Sequence, residues 1–282
     1  MTCYRHPDRE TGVSCSECGR GICTDCMVFA PVGIRCPDHA GVAQGAQRVT
    51  RGVRRAAYEG GGALVTKVLI GINLAVYALC LAQGSSLSET SGRIFDEGAL
   101  VVLSPFGGLA DGEWWRLLTA AFLHGNLLHI GMNMFVLWII GAPVEEAIGR
   151  GRFIALYLVA GLAGSAGALL FEPGAITVGA SGAIFGILGA ALILEWQRSY
   201  VLGGQALGLI VFNVIFTFAI PNISIGGHLG GLAGGALGAL ALSRFGQTHA
   251  IYGRPGLLGA VGLVAVGIGS IALAYWRVQG VI

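Results

Sequence analysis

The chain has 282 residues, of which 54% are hydrophobic and 11% charged, with a mean hydropathy of +0.73. A soluble domain carries about 25% charged residues, so the composition excludes an ordinary water-soluble protein. The formal net charge of +2 matters less than where the charges sit. Residues 1–60 are polar and rich in Cys and Arg, whereas from Ala63 onward long apolar runs alternate with short polar breaks. That is the pattern of a polytopic membrane protein behind a small soluble domain. The opening MTCYRHPDRE lacks the apolar stretch of a cleavable signal peptide.

Six of the seven cysteines fall within residues 1–40, as C-x2-H (Cys3, His6), C-x2-C (Cys15, Cys18), C-x2-C (Cys23, Cys26) and C-x2-H (Cys36, His39). Paired knuckles at this spacing match tetrahedral zinc ligation rather than a disulfide framework, the more so in a segment whose flanking charges place it in the reducing cytosol. Eight ligands make two closed, four-ligand sites, which are structural rather than catalytic. About 40 residues bury too little to fold unaided, so zinc supplies the missing stability. The spacing resembles B-box and related cross-brace zinc fingers. The resemblance implies that the first and third knuckles share one ion and the second and fourth the other. It also implies a protein-binding role, so residues 1–42 are read as a two-zinc B-box-like domain. That domain is either a stability cap or a recruiter of a cytosolic protein partner. Residues 43–62 follow as an Arg-rich linker.

Seven spans are predicted, at roughly 64–83, 126–144, 152–171, 179–196, 202–220, 225–243 and 256–276. Several approach the ~20 residues a bilayer requires. The fourth to sixth are shorter and Gly-rich, as in helices buried among other helices. Cys80, within the first span, is read as a packing residue. The breaks carry Pro173-Gly174, Gly203-Gly204, Pro221-Asn222 and Pro255-Gly256. The long stretch 84–125 contains SPFGG and DGEWWR and is expected to be a structured interfacial loop, since Trp favours the headgroup level. Arginine sets the orientation. RVTRGVRR precedes the first span, Arg150 and Arg152 lie between the second and third, Arg198 follows the fourth, and Arg244 and Arg254 separate the last two. The opposite loops hold only Arg93, Arg116 and Arg277, with most of the loop acids. The N-terminus is therefore expected in the cytoplasm and the C-terminus outside, so that spans two, four and six start at the outer face.

Polar residues recur at those starts: HGNLLHIGMNM (His124, His129, Asn133) on span two, Ser181 within GASGAIFG on span four, and His228 within GGHLGGLAGG on span six. A Ser in a Gly/Ala helix alone reads as packing, and an intramembrane His is costlier and more often functional. At one shared depth the group points to one site. Ser181 needs a base to become nucleophilic, and His228 is the only histidine in spans four to six. Close approach of these helices is expected through Gly182, Gly186 and Gly189 against Gly227, Gly230, Gly231 and Gly234. Asn133 and His129, four apart on one helix face, and the Ser181 N–H, at a helix start, are candidate donors to an oxyanion. The only acid after residue 172 is Glu195, at the far end of span four. A Ser–His dyad is thus favoured over a triad, with an outer-loop acid such as Glu113 left open.

The set WWR, HGNLLHIGMNM, GASGAIFG and GGHLGG, in this order, resembles the rhomboid family of intramembrane serine proteases over residues 64–243. The resemblance implies an all-α polytopic membrane protein with a six-helix core (63–245), here followed by a loop and a seventh transmembrane helix (246–282) and preceded by the small zinc-stabilised domain. It implies Ser181 as nucleophile, His228 as base, and Asn133 with His129 at the oxyanion hole. It also implies structural roles for Trp115 and Arg116, and for Glu145 as an acid that holds helices together. Phe185 stands where some members have a Tyr stacked on the base. The expected activity is hydrolysis of peptide bonds in or beside the transmembrane segments of membrane proteins, within the lipid bilayer, at a site opening to the extracytoplasmic side. No cofactor is expected in catalysis and no nucleic-acid partner. The alternatives are a non-catalytic membrane-protein binder or quality-control factor, and a transporter with Gly-broken helices. The transporter explains the glycines but not the Ser/His/Asn set.

Overall fold

The computed structural model describes residues 1–29, 33–39, 62–199, 201–221, 223–243 and 256–281. Nearly all of the Arg-rich linker, Asn222, Arg244, Arg254 and the loop before the last helix lie outside the described residues. The chain forms two compact units, Met1–Gly60 and Gly61–Ile282.

Among its described residues the first unit has little regular structure. Two short strands, β1 (Val28–Phe29) and β2 (Ile34–Arg35), pair antiparallel, with Val28 opposite Arg35. Isolated bridges join Thr2 to Glu10 and Ser14 to Gly21. Its core is chemically odd: among the described residues, Ile22 is the one fully buried aliphatic side chain in a cluster otherwise made by Cys3, Cys15, Cys23, Cys26 and Cys36. An interior built from thiols gives too little apolar burial to offset the entropy of ordering the chain.

The second unit is all-α. Among the described residues its long helices are seven, α1 (Leu64–Ala82), α2 (Leu127–Ile148), α3 (Arg150–Phe171), α4 (Ser181–Trp196), α5 (Ala206–Ala219), α6 (Ile225–Leu242) and α7 (Leu257–Gln279). Five are long and apolar enough to cross a membrane; α4 and α5, with 16 and 14 residues, are shorter. Large apolar side chains stand exposed along α1 (Val68, Ile72, Leu79), α5 (Val211, Phe212, Ile215) and α7 (Val261, Val264, Ile268). Such surfaces suit hydrocarbon rather than water.

Glycines decide the packing of the central helices. A Cβ at Gly231 would lie 2.0 Å from the Gly182 carbonyl oxygen, and one at Gly235 1.9 Å from that of Gly186. The backbones of α4 and α6 therefore touch, as small residues permit. The expected glycine face needs correction. Gly230 and Gly234 point away from α4, towards Ala163, Gly167 and Ala160 of α3, and Gly235, absent from the expected set, takes their place against α4. The hundred-degree step of a helix gives α6 two glycine stripes, one for each neighbour.

Two boundaries also differ from expectation. The second helix runs on to Ile148, and a single residue, Gly149 (φ 85°), separates it from α3. Arg150 and Arg152 thus stand in the first turn of α3 rather than in a loop. Residues Leu137–Gly141 form a π turn within α2, two residues ahead of Pro143, which cannot donate to the helical ladder.

The stretch between α1 and α2 is ordered by Arg116, which has no exposed surface. Its guanidinium donates to the Glu113 carboxylate (2.6–2.7 Å) and to the carbonyls of Asp96 (2.7 Å), Ala99 (2.8 Å) and Phe106 (3.1 Å). Trp115, half exposed, donates its indole N–H to the Glu97 carbonyl at 3.3 Å. The end of α7 joins this loop: Ala274 and Val278 are buried with Leu100, Leu109 and Leu117, and Tyr275 packs on Trp114. Cys80 is buried beside Ala99 and Leu123.

Candidate active site

Ser181 is the first residue of α4. The turn before it is held from two sides, by a backbone bridge between Leu100 and Thr177 and by the Gly179 N–H donating to the Ala120 carbonyl at 2.9 Å. Gly179 has φ +127°, and a Cβ there would meet His129 Nε2 at 2.7 Å and Asn133 Nδ2 at 3.7 Å. Only glycine satisfies both the backbone angle and the space.

His129 and Asn133 come to this turn from α2. Asn126 caps that helix by accepting the His129 N–H at 2.9 Å. The Gly125 N–H approaches His129 Nδ1 at 3.4 Å, so Nδ1 is the accepting nitrogen and Nε2 is left to donate. Among the described residues Asn133 Nδ2 is buried without a hydrogen-bond partner. Two N–H donors thus converge on the backbone just ahead of Ser181. His124 lies edge-on to His129, with ring centroids 5.1 Å apart.

His228 lies in the first turn of α6, which Ser224 caps by accepting the Gly227 N–H at 3.0 Å. Gly182 and Gly227, the sequence neighbours of Ser181 and His228, are in contact: a Cβ at Gly182 would lie 3.3 Å from the Gly227 carbonyl oxygen. Phe185, one turn into α4, stacks on the His228 ring at 4.0 Å and 18°. Among the described residues, the hydrogen-bond partner of the His228 ring is the Thr217 hydroxyl on α5, 2.6 Å from Nδ1. Glu113, the acid left open by the sequence, is engaged by Arg116 instead.

At the ends of α2 and α4 remote from Ser181, carboxylates close the starts of neighbouring helices. Glu145, 2% exposed, accepts the Val65 and Thr66 N–H groups (2.9 and 2.7 Å) and the Thr66 hydroxyl (2.8 Å). It caps α1 from α2, satisfying donors that the helix leaves unpaired. Glu195 does the same for α5, accepting from the N–H groups of Leu202, Gly204 and Ala206 at 3.0–3.1 Å. Sequence reasoning missed the Glu195 cap and Thr217. A lone Thr in FNVIFTFAI and a lone acid after residue 172 were the available signals.

In the N-terminal unit the eight knuckle residues form two clusters that could hold metal ions: Cys3, His6, Cys23 and Cys26, and Cys15, Cys18, Cys36 and His39. Within each cluster the ligand atoms lie within 4.8 Å of one another. His6 Nδ1 stands 3.7, 3.3 and 3.4 Å from the sulfurs of Cys3, Cys23 and Cys26. Tetrahedral zinc, with Zn–S about 2.3 Å and Zn–N about 2.0 Å, gives edges of roughly 3.5–3.8 Å, so the donor set fits. Burial works against the Cys3 thiolate, but hydrogen bonds from the backbone N–H groups of Cys23 and Arg5 and from His6 hold it at about 6, while burial and the neighbouring Cys3 and Cys23 sulfurs push Cys26 up to about 11. None of the seven cysteines is paired in a disulfide.

A rhomboid-domain family model matches residues 111–245. Rhomboid protease GluP of Bacillus subtilis is 36% identical over 233 residues, 80% of this chain and 43% of that protein. Putative rhomboid protease YdcA of the same organism is 36% identical over 135 residues, 46% of this chain and 68% of that one. RHOMBOID-like protein 5 of Arabidopsis thaliana is 37% identical over 157 residues, 52% of this chain and 50% of its own length. The chain thus spans less than half the length of GluP and about half that of the plant protein.

Proposed function

The chain belongs to the rhomboid family, and from that premise we propose that it is an intramembrane serine endopeptidase working through Ser181 and His228. The observation that carries this reading is the glycine contact of α4 with α6, which places the residues flanking Ser181 and His228 against each other. In the reaction His228 Nε2 takes the Ser181 proton as Oγ attacks the scissile carbonyl. The oxyanion that forms is met by Asn133 Nδ2, His129 Nε2 and the Ser181 N–H. His228 then protonates the leaving amine, and water hydrolyses the acyl-enzyme. Phe185 keeps the ring plane by stacking, and no metal is required at this centre.

The substrates are transmembrane segments of membrane proteins. A helix of 16 residues is about 24 Å long against a hydrocarbon core of about 30 Å, which favours a Ser181 sunk below the membrane surface in a water-filled recess. A scissile carbonyl locked in an α-helix is out of reach, so the substrate must be extended locally. Cleavage near the extracytoplasmic end of the substrate follows from the arginine asymmetry, with the N-terminus cytoplasmic and the C-terminus outside. Terminal tags on the same side of the membrane would refute that topology. The N-terminal unit is read as a B-box-like module stabilised by two structural zinc ions, with a cytosolic protein as its expected partner. The first test of the partner is crosslinking in cells with and without residues 1–42, where an unchanged pattern removes it.

The catalytic reading is tested with purified protein in liposomes, a helical substrate and a fluorophosphonate probe. Wild type should cleave and take the label, Ser181→Ala should do neither, and Asn133→Ala should slow cleavage by about 10²–10³. Cleavage that survives Ser181→Ala overturns the assignment, and a wild type inert to both assays favours a non-catalytic binder.

A further inference from the structure

A histidine works as a general base only when the nitrogen facing the nucleophile is bare, and the bond made by the other nitrogen decides this. In serine hydrolases a buried carboxylate commonly makes that bond. Here the Nδ1 partner is a neutral hydroxyl, Thr217 Oγ1, at 2.6 Å. A hydroxyl has one proton to give and two lone pairs to accept with. The Thr217 proton goes to the Asn213 carbonyl, one turn back along α5, at 2.8 Å. What remains for His228 is a lone pair, which only a protonated Nδ1 can use. Thr217 is 3% exposed and His228 8%, so the bond between them is made in the packed interior.

Resting on the serine-protease reading above, we propose that Thr217 is the positioning residue of the base. It accepts the Nδ1–H of His228, holds the neutral ring in that tautomer, and leaves the Nε2 lone pair free for the Ser181 proton. When the ring takes up that proton both nitrogens donate and the Thr217 bond persists, so the ring need not turn between steps. Phe185 fixes the plane of the ring and Thr217 its rotation within that plane. A hydroxyl suits the location. A carboxylate buried among apolar helices is costly, whereas a Thr that bonds the carbonyl four residues back is common in helices.

Two measurements test this on the full-length protein in liposomes. The first is the nitrogen-15 spectrum of histidine-labelled protein at alkaline pH, with His228 assigned by its loss in His228→Gln. The expected result is a protonated Nδ1 and a bare Nε2; the reverse tautomer overturns the proposal. The second compares Thr217→Val with Thr217→Ser. The valine variant should lose roughly tenfold in kcat and in the rate of fluorophosphonate labelling at unchanged KM, and serine should stay within about threefold of wild type. If the valine variant does not fold, the tautomer of wild type and of Thr217→Ser still decides. An active wild type matched by Thr217→Val overturns the role of Thr217 and leaves the protease reading standing. A wild type inert to the probe whose His228 carries Nδ1–H overturns the protease reading and leaves the tautomer standing.

Discussion

Arg116 shows what a single residue can organise. Its guanidinium is wholly buried, and it meets one carboxylate and three main-chain carbonyls drawn from separate parts of the loop between α1 and α2. Removing the side chain strands the Glu113 charge and leaves buried carbonyls without donors. Breaking such a pair from one side costs about 3–5 kcal/mol. Lysine keeps the charge but not the planar fork. Arg116→Ala is therefore expected to lower the thermal midpoint sharply in detergent and Arg116→Lys to recover only part of the loss; an Arg116→Ala protein as stable as wild type would contradict this. The motif Trp115-Arg116 marked the position in the sequence as structural, but not its partners. Asp96, Ala99 and Phe106 take part through backbone carbonyls, which every residue type carries. Thr217 escaped for a related reason: its partner, His228, is on another helix, and a single Thr in an apolar run looks like any other.

At the scale of elements, α3, α4 and α6 meet through glycine because any larger residue would collide with backbone, which cannot move aside as a side-chain tip can. Gly235→Ala places a methyl 1.9 Å from the Gly186 carbonyl oxygen. It should force α4 and α6 apart, at about 1–3 kcal/mol, and slow probe labelling of Ser181. Gly71→Ala, on α1, meets nothing within 4 Å and should stay within about 1 kcal/mol of wild type, if anything more stable. Denaturant titration of both variants in micelles checks the contrast, and equal stabilities would sink it. The presence of small-xxx-small spacing on α4 and α6 was legible in the sequence. Which glycines face which helix was not, because α6 carries glycine on two faces and only the placement of α3 assigns Gly230 and Gly234 to it. The helix ends were legible to within a few residues, apart from the join of α2 to α3. There Gly149 does alone what a loop was expected to do.

At the scale of the molecule, the N-terminal unit makes the sharpest prediction, since it depends on pairing between distant knuckles. Zinc in the interleaved clusters requires that Cys3→Ser combined with Cys26→Ser disable one site and spare the other. Elemental analysis of the full chain should then fall from two ions to one. A sequential arrangement, with the first two knuckles on one ion and the last two on the other, loses both, and zero ions would rule out the interleaved scheme. The number of knuckles, the alternation of apolar helices and polar breaks, and the Ser, His and Asn residues near the helix starts are legible in the order of residues alone. These follow from residue type and spacing, and hydropathy, helical period and ligand chemistry are local properties. It takes the packed chain to bring about the interleaving of the knuckles, the stacking of Phe185 on His228, the convergence of His129 and Asn133 on Gly179, and the placing of Thr217 rather than an acid beside His228. Each of these is a contact between segments far apart in the chain. Several run through glycine or main-chain atoms, whose chemistry is the same at every position and becomes specific only when the helices are packed.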